Sequence, residues 1–72
     1  MLTYKLIEVN GDEYIYEYYP DGKEEFPGKV SISRNGEKSI IETSGYDFGN
    51  RYANHALAGI DMSKKSGTVA WY

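Results

Sequence analysis

Leu2–Tyr19 reads LTYKLIEVNGDEYIYEYY, two runs of roughly alternating character on either side of Asn10-Gly11. Asn-Gly between such runs is the strongest short-range hairpin signal, because a type I′ turn needs positive φ at both central residues. The expected register sets Val9 opposite Asp12, Ile7 opposite Tyr14, Lys5 opposite Tyr16 and Thr3 opposite Tyr18. One face of the hairpin then carries Leu2, Tyr4, Leu6, Ile15, Glu17 and Tyr19. The other carries Lys5, Ile7, Val9, Tyr14, Tyr16 and Tyr18.

Pro20-Asp21-Gly22 ends the second strand, with proline presetting one turn position and glycine accepting the left-handed one. Lys23–Gly28 is an edge or a loop, since Pro27 has no N–H for a ladder. Gly28–Arg34 and Glu37–Thr43 form a second hairpin around Asn35-Gly36. Its register places Val30 opposite Ile41, Arg34 opposite Glu37 and Lys29 opposite Glu42, and the two opposite-charge pairs support it. Beyond Ser44-Gly45-Tyr46 the period changes. Asp47 is an N-cap residue type, and Phe48, Tyr52, Ala56 and Ile60, flanked by Ala53 and Leu57, trace one helical face. Gly59 and Gly67 are both available as helix stops, and the earlier is preferred. Thr68–Tyr72 is expected to dock as a short added strand.

The expected class is α+β in one domain, residues 1–72: an antiparallel sheet of two hairpins (four strands) plus a short C-terminal strand, with one helix packed on one face. A single short helix covers one face only, so the other meets solvent or a partner. The aliphatic face of the first hairpin is preferred for the core. Tyr14, Tyr16 and Tyr18, with Lys5, then form an exposed stripe and the candidate interaction surface. In the opposite assignment the same tyrosines line the core with their hydroxyls at its rim. A one-residue slip between the second and third strands exchanges the two.

Composition narrows the chemistry. A chain of 72 residues buries only about 60% of its unfolded surface, so its core is thin. It has no cysteine for disulfides, thiolate catalysis or iron–sulfur clusters, and one histidine, His55, so neither metal nor cofactor is expected. Net charge is −3, from 11 acidic and 8 basic residues, which disfavours non-specific binding to nucleic acid or anionic lipid. No export signal and no apolar run near the roughly 20 residues of a membrane span are visible, so a cytoplasmic location is expected.

No motif supplies catalysis. His55 has no carboxylate one helical turn away, and the serines have no identifiable partner base. Asp12-Glu13 and Glu24-Glu25 lack calcium-loop spacing, and Gly45-x-x-x-Gly49 is not followed by the Gly-Lys-Ser/Thr of a phosphate loop. Tyr46–Tyr52 is rich in aromatic and polar groups. It could serve as a recognition loop, but helix capping plus core anchoring by Phe48 explains it as well and is the preferred reading.

The block Arg51-Tyr52-Ala53-Asn54-His55-Ala56, preceded by Tyr18-Tyr19-Pro20-Asp21-Gly22-Lys23 and followed by Gly67-Thr68-Val69-Ala70-Trp71-Tyr72, resembles a group of short uncharacterised bacterial or phage-type proteins. Those carry a Tyr-x-x-His-Ala helix and end in Val-Ala-Trp-Tyr. The resemblance implies a bacterial, cytoplasmic protein and brings no activity with it. The functional expectation is a non-enzymatic protein-interaction module. It would self-associate or bind a protein partner through the tyrosine-rich face or an exposed strand edge. The alternative is single-stranded nucleic-acid binding, with bases stacked on the tyrosines and charge from Lys5 and Lys29.

Overall fold

The computed structural model describes residues 1–71. Among these are five strands and one helix: β1 (Leu2–Asn10), β2 (Glu13–Pro20), β3 (Gly28–Ser33), β4 (Lys38–Glu42), α1 (Arg51–Gly59) and β5 (Ser66–Val69). They form one antiparallel sheet in the order β4-β3-β2-β1-β5, with α1 packed against one face. The α+β class and the two-hairpin plan are those expected. The C-terminal strand pairs with β1, setting Leu2 opposite Val69 and Tyr4 opposite Gly67. It runs over Ser66–Val69 rather than from Thr68, and Tyr72 lies outside the described residues.

The first hairpin differs from expectation in two places: the turn moves the register by two residues, which keeps the faces, and a bulge then exchanges them for part of β1. Its turn is centred on Gly11-Asp12, pairing Asn10 with Glu13; only Gly11 has positive φ (65°), as a II′-type turn requires. One bulge then follows in β1. Val9 pairs with Tyr14 and Glu8 with Ile15, but Leu6 pairs with Tyr16, leaving Ile7 as the extra residue. Past the bulge every β1 side chain changes face. Leu2, Tyr4 and Leu6 therefore join Tyr14, Tyr16 and Tyr18 on one side, where the expected register had separated them.

That combined face is the core. Tyr16, Tyr18, Leu2 and Val30 are wholly buried, with Tyr4 and Ile32 nearly so, against Ala53 and Ala56 of α1. The tyrosine rings fill the space between helix and sheet, so the helix contributes alanines at its closest approach. Tyr4 and Tyr16 meet edge to face at 5.8 Å, a favoured aromatic geometry. Two rings also lie across glycines on the neighbouring strand: Tyr18 over Gly28 and Tyr4 over Gly67.

In the second hairpin Gly36 N–H donates to Ser33 O (3.0 Å), and Ser33 N–H donates to Glu37 O (2.8 Å). With Gly36 at φ 92° this is a three-residue loop closed by a left-handed glycine, not a two-residue I′ turn. Val30 therefore faces Ile40 instead of Ile41. A bulge at Ile41 restores the expected Lys29–Glu42 pair.

The helix ends at Gly59, the preferred stop, with Ile60 N–H donating to Ala56 O. It starts at Arg51, later than expected, behind Asn50 in the left-handed conformation. Phe48 is consequently outside the helix and off the core. No helix among the described residues is long and apolar enough to cross a membrane.

One buried group is left over. The Tyr16 hydroxyl has no hydrogen-bond partner among the described residues, and burial is the main cause of its raised pKa. Tyr16→Phe removes that unmatched group and keeps the ring, so it is expected to stabilise the fold by about 1 kcal/mol. Urea denaturation checks this; a loss of stability would mean that the hydroxyl is bonded in solution.

Candidate interaction surface

The residues expected to form one exposed stripe are dispersed. Tyr16 and Tyr18 are 0% exposed beneath α1. Tyr14 is half-buried at the end of the same face, its hydroxyl accepting from Arg34 Nη2 (2.8 Å) while the guanidinium lies 5.6 Å from its ring centre. Lys5 is on the opposite face, paired with Glu17. The bulge at Ile7 is the physical reason, because it moves Lys5 away from the tyrosines. The platform on which bases were to stack is thus under the helix.

The uncovered face is polar. Lys5, Glu17, Lys29 and Glu42 lie side by side across β1 to β4, an alternating row of charges. Ser31, Ser33 and Ser39 follow, lining with Glu13, Glu37 and Lys38 a cavity of about 150 Å³. That is below the roughly 300 Å³ at which small-molecule pockets begin. Tyr19, the large aromatic on this side, is buried and donates its hydroxyl to Glu17 Oε1 (2.6 Å).

Aromatic surface is concentrated elsewhere. Phe26, in the loop after β2, stacks on Tyr46 at 5.8 Å and 29°. Tyr46 meets Tyr52 of α1 at 6.2 Å, and Tyr52 meets Trp71 edge-on at 5.4 Å. Trp71 lies flat on His55, 3.9 Å between centres and 3° between planes. These five rings make a continuous ridge along the side of the helix. Lys23 Nζ sits 5.4 Å from the centre of the Tyr46 ring, and Tyr52 donates its hydroxyl to Asp21 (3.2 Å). Phe26 is 41% exposed. Phe48, two residues from Tyr46, is 85% exposed.

The loop that presents Phe48 is held from beneath by Asp47. This carboxylate is only 7% exposed and accepts from the Tyr18 hydroxyl (2.9 Å), Tyr52 N–H (3.0 Å) and Ala53 N–H (3.0 Å). Asp47 thus caps the helix as its residue type suggested, but from three positions before Asn50, whose own side chain makes no cap bond. Ser44 ties in the neighbouring loop: its N–H donates to the Tyr18 hydroxyl (3.1 Å) and its Oγ to Phe26 O (2.6 Å). Thr43 Oγ1 donates to Asn50 Oδ1 (2.6 Å). Gly49 and Asn50, at φ 69° and 59°, then turn the chain into the helix.

Burial, and for Tyr19 the bond to Glu17, pushes both Tyr18 and Tyr19 up to about 12; for Tyr18 the Asp47 bond adds to burial while the Ser44 N–H opposes it. The unfolded phenols ionise near pH 10, so this stability is complete below that pH and is lost as pH rises toward 12. Each group accounts for about 2–3 kcal/mol across that window. Near-ultraviolet dichroism should show cooperative alkaline unfolding there. Phenolate absorbance of Tyr18 and Tyr19 should appear only with that unfolding; a gradual titration with the fold intact would contradict it.

The ridge was not legible as a unit, since its members come from four separated segments. The local signal was the Tyr46–Tyr52 block, and of its two readings the capping part is realised by Asp47 while Phe48 anchors nothing in the core. Comparison of the chain with protein-family models, curated proteins and solved structures finds no match.

Proposed function

We propose that the chain is a non-enzymatic protein-interaction module, cytoplasmic and of bacterial or phage type, whose contact surface is the ridge Phe26–Tyr46–Tyr52–Trp71 together with the exposed Phe48, two residues on from Tyr46 in the chain. The observation that carries this is Phe48: a phenylalanine 85% exposed on a loop pinned by buried hydrogen bonds. Exposed aromatic clusters mark interfaces, and a rigid aromatic anchor loses little entropy on binding. The other surfaces fit less well. The free sheet face is charged and hydroxyl-rich. Edge strand β4 carries Lys38, Glu42 and the Ile41 bulge, while edge strand β5 is four residues long; both are features that discourage strand addition. Against nucleic-acid binding, the Asp21–Phe26 segment carries three acids, Asp21, Glu24 and Glu25, to one base, Lys23.

The test is photo-cross-linking with p-benzoylphenylalanine placed at position 48, compared with position 29 on the free face, in cells making the protein. The expected result is a discrete cross-linked protein at position 48, absent at position 29. A species of twice the chain mass would identify a second copy as partner, and light scattering against concentration would confirm self-association. Equal labelling at both positions would overturn the assignment of the surface.

A further inference from the structure

We propose that Asn10 is a site of spontaneous covalent modification, deamidation through a succinimide, and that the fold directs this reaction to Asn10 and away from Asn35. Both precede glycine, which has no side chain to shield its backbone nitrogen. Asn50 and Asn54 precede Arg51 and His55, whose side chains crowd the same approach. In the reaction Gly11 N gives up its proton and attacks Asn10 Cγ. An N–Cγ bond forms, the Cγ–N bond of the carboxamide breaks, and ammonia leaves with the proton. Water then opens the ring at either carbonyl, giving aspartate or isoaspartate.

The two Asn-Gly pairs sit in different turns, and this separates them. Asn35 is held at both reacting groups: Gly36 N–H donates to Ser33 O (3.0 Å), and Asn35 Oδ1 accepts from Glu37 N–H (3.1 Å). Those bonds must open before the nitrogen can reach Cγ. At the first hairpin neither Gly11 N–H nor the Asn10 carboxamide makes a hydrogen bond among the described residues. Residues 7–13 are all exposed, beyond the last core contacts of Leu6 and Tyr14; the turn is tied at Asp12 O, which accepts from Arg34 N–H (3.0 Å), a bond that leaves both reacting groups of Asn10-Gly11 free. The product places a further negative charge among Glu8, Asp12 and Glu13. Through isoaspartate it also adds a backbone atom that the two-residue turn does not accommodate, so the Asn10–Glu13 pair opens.

The experiment is peptide mapping by mass spectrometry after incubation of the folded chain at mildly alkaline pH, with isoaspartate scored by an isoaspartyl methyltransferase. The same incubation in denaturant serves as the control. In the folded chain Asn10 is expected to gain the deamidation mass on the order of tenfold faster than Asn35, the factor one ordinary hydrogen bond imposes when it must open first. In denaturant the two rates converge, because the sequence pairs are alike. Asn10→Gln should abolish most of the isoaspartate while leaving the fold intact. Equal rates in the folded chain, a faster Asn35, an inert Asn10, or a rate difference that persists in denaturant would each overturn the proposal.

Discussion

Asp47→Ala is expected to lower stability by about 3 kcal/mol, against roughly 4–11 kcal/mol in total for a chain of this length. The carboxylate accepts from three donors at once: Tyr52 and Ala53 N–H at the open end of α1, and the Tyr18 hydroxyl under the helix. The alanine variant leaves all three unmatched. Tyr52 is part-exposed and can recover water, whereas Ala53 and Tyr18 are fully buried, so the loss is larger than that of an ordinary surface cap. Asp47→Asn keeps an acceptor of the same shape but removes the negative charge from the positive end of the helix, and should cost about 1 kcal/mol. Urea midpoints for the two variants check this ranking. An alanine variant within 0.5 kcal/mol of the parent, a difference of the size of ordinary surface changes, would show that the loop is not held by this carboxylate. Phe48 would then lose its rigid mount.

What the sequence made legible follows from which interactions are local. Both hairpins are announced by Asn-Gly, and the helix by Tyr52, Ala56 and their neighbours, because turns and amphipathic faces are encoded within a few residues. The two bulges are not announced by turn chemistry. Each falls where two aliphatic residues adjoin, Leu6-Ile7 and Ile40-Ile41, and interrupt the alternation. That interruption was the available signal. Strict alternation through Leu6-Ile7 separates Leu2, Tyr4 and Leu6 from Tyr14, Tyr16 and Tyr18; with the bulge they share one face. Spacing alone places Phe48 on the helix, because it cannot show a cap acting across Gly49-Asn50. The ridge needed tertiary structure: Phe26, Tyr46, Tyr52 and Trp71 become neighbours only after two loops and the segment at Trp71 have been laid against α1.

Gly28→Ala should destabilise by about 3 kcal/mol, the upper part of the range for overpacking a core. The usual expectation has the opposite sign, since replacing glycine where φ is ordinary removes unfolded-state entropy and gains about 0.4–1 kcal/mol. Sterics decides here. A Cβ on Gly28 would lie 2.3 Å from Cε1 and Cζ of Tyr18 and 2.6 Å from its hydroxyl oxygen. That ring cannot withdraw, because it is fully buried and its hydroxyl is fixed at both ends, donating to Asp47 and accepting from Ser44 N–H. Gly67 offers the comparison. There the Cβ would lie 2.6 Å from the Tyr4 hydroxyl, but that hydroxyl is held only by a 3.3 Å bond from Asp61 N–H, beside a short edge strand. With one long hydroxyl bond in place of two shorter ones the Tyr4 ring is the less firmly tethered, so Gly67→Ala should cost less than Gly28→Ala, about 1–2 kcal/mol. A double-mutant cycle separates clash from tether. In a Tyr18→Phe background the ring is released from Asp47 and Ser44, and the cost of Gly28→Ala should fall by about half, giving a coupling of at least 1 kcal/mol. Additive losses would mean that the ring is held by packing alone, and the line of force from β3 through Tyr18 and Asp47 to the Phe48 loop would be broken at its middle.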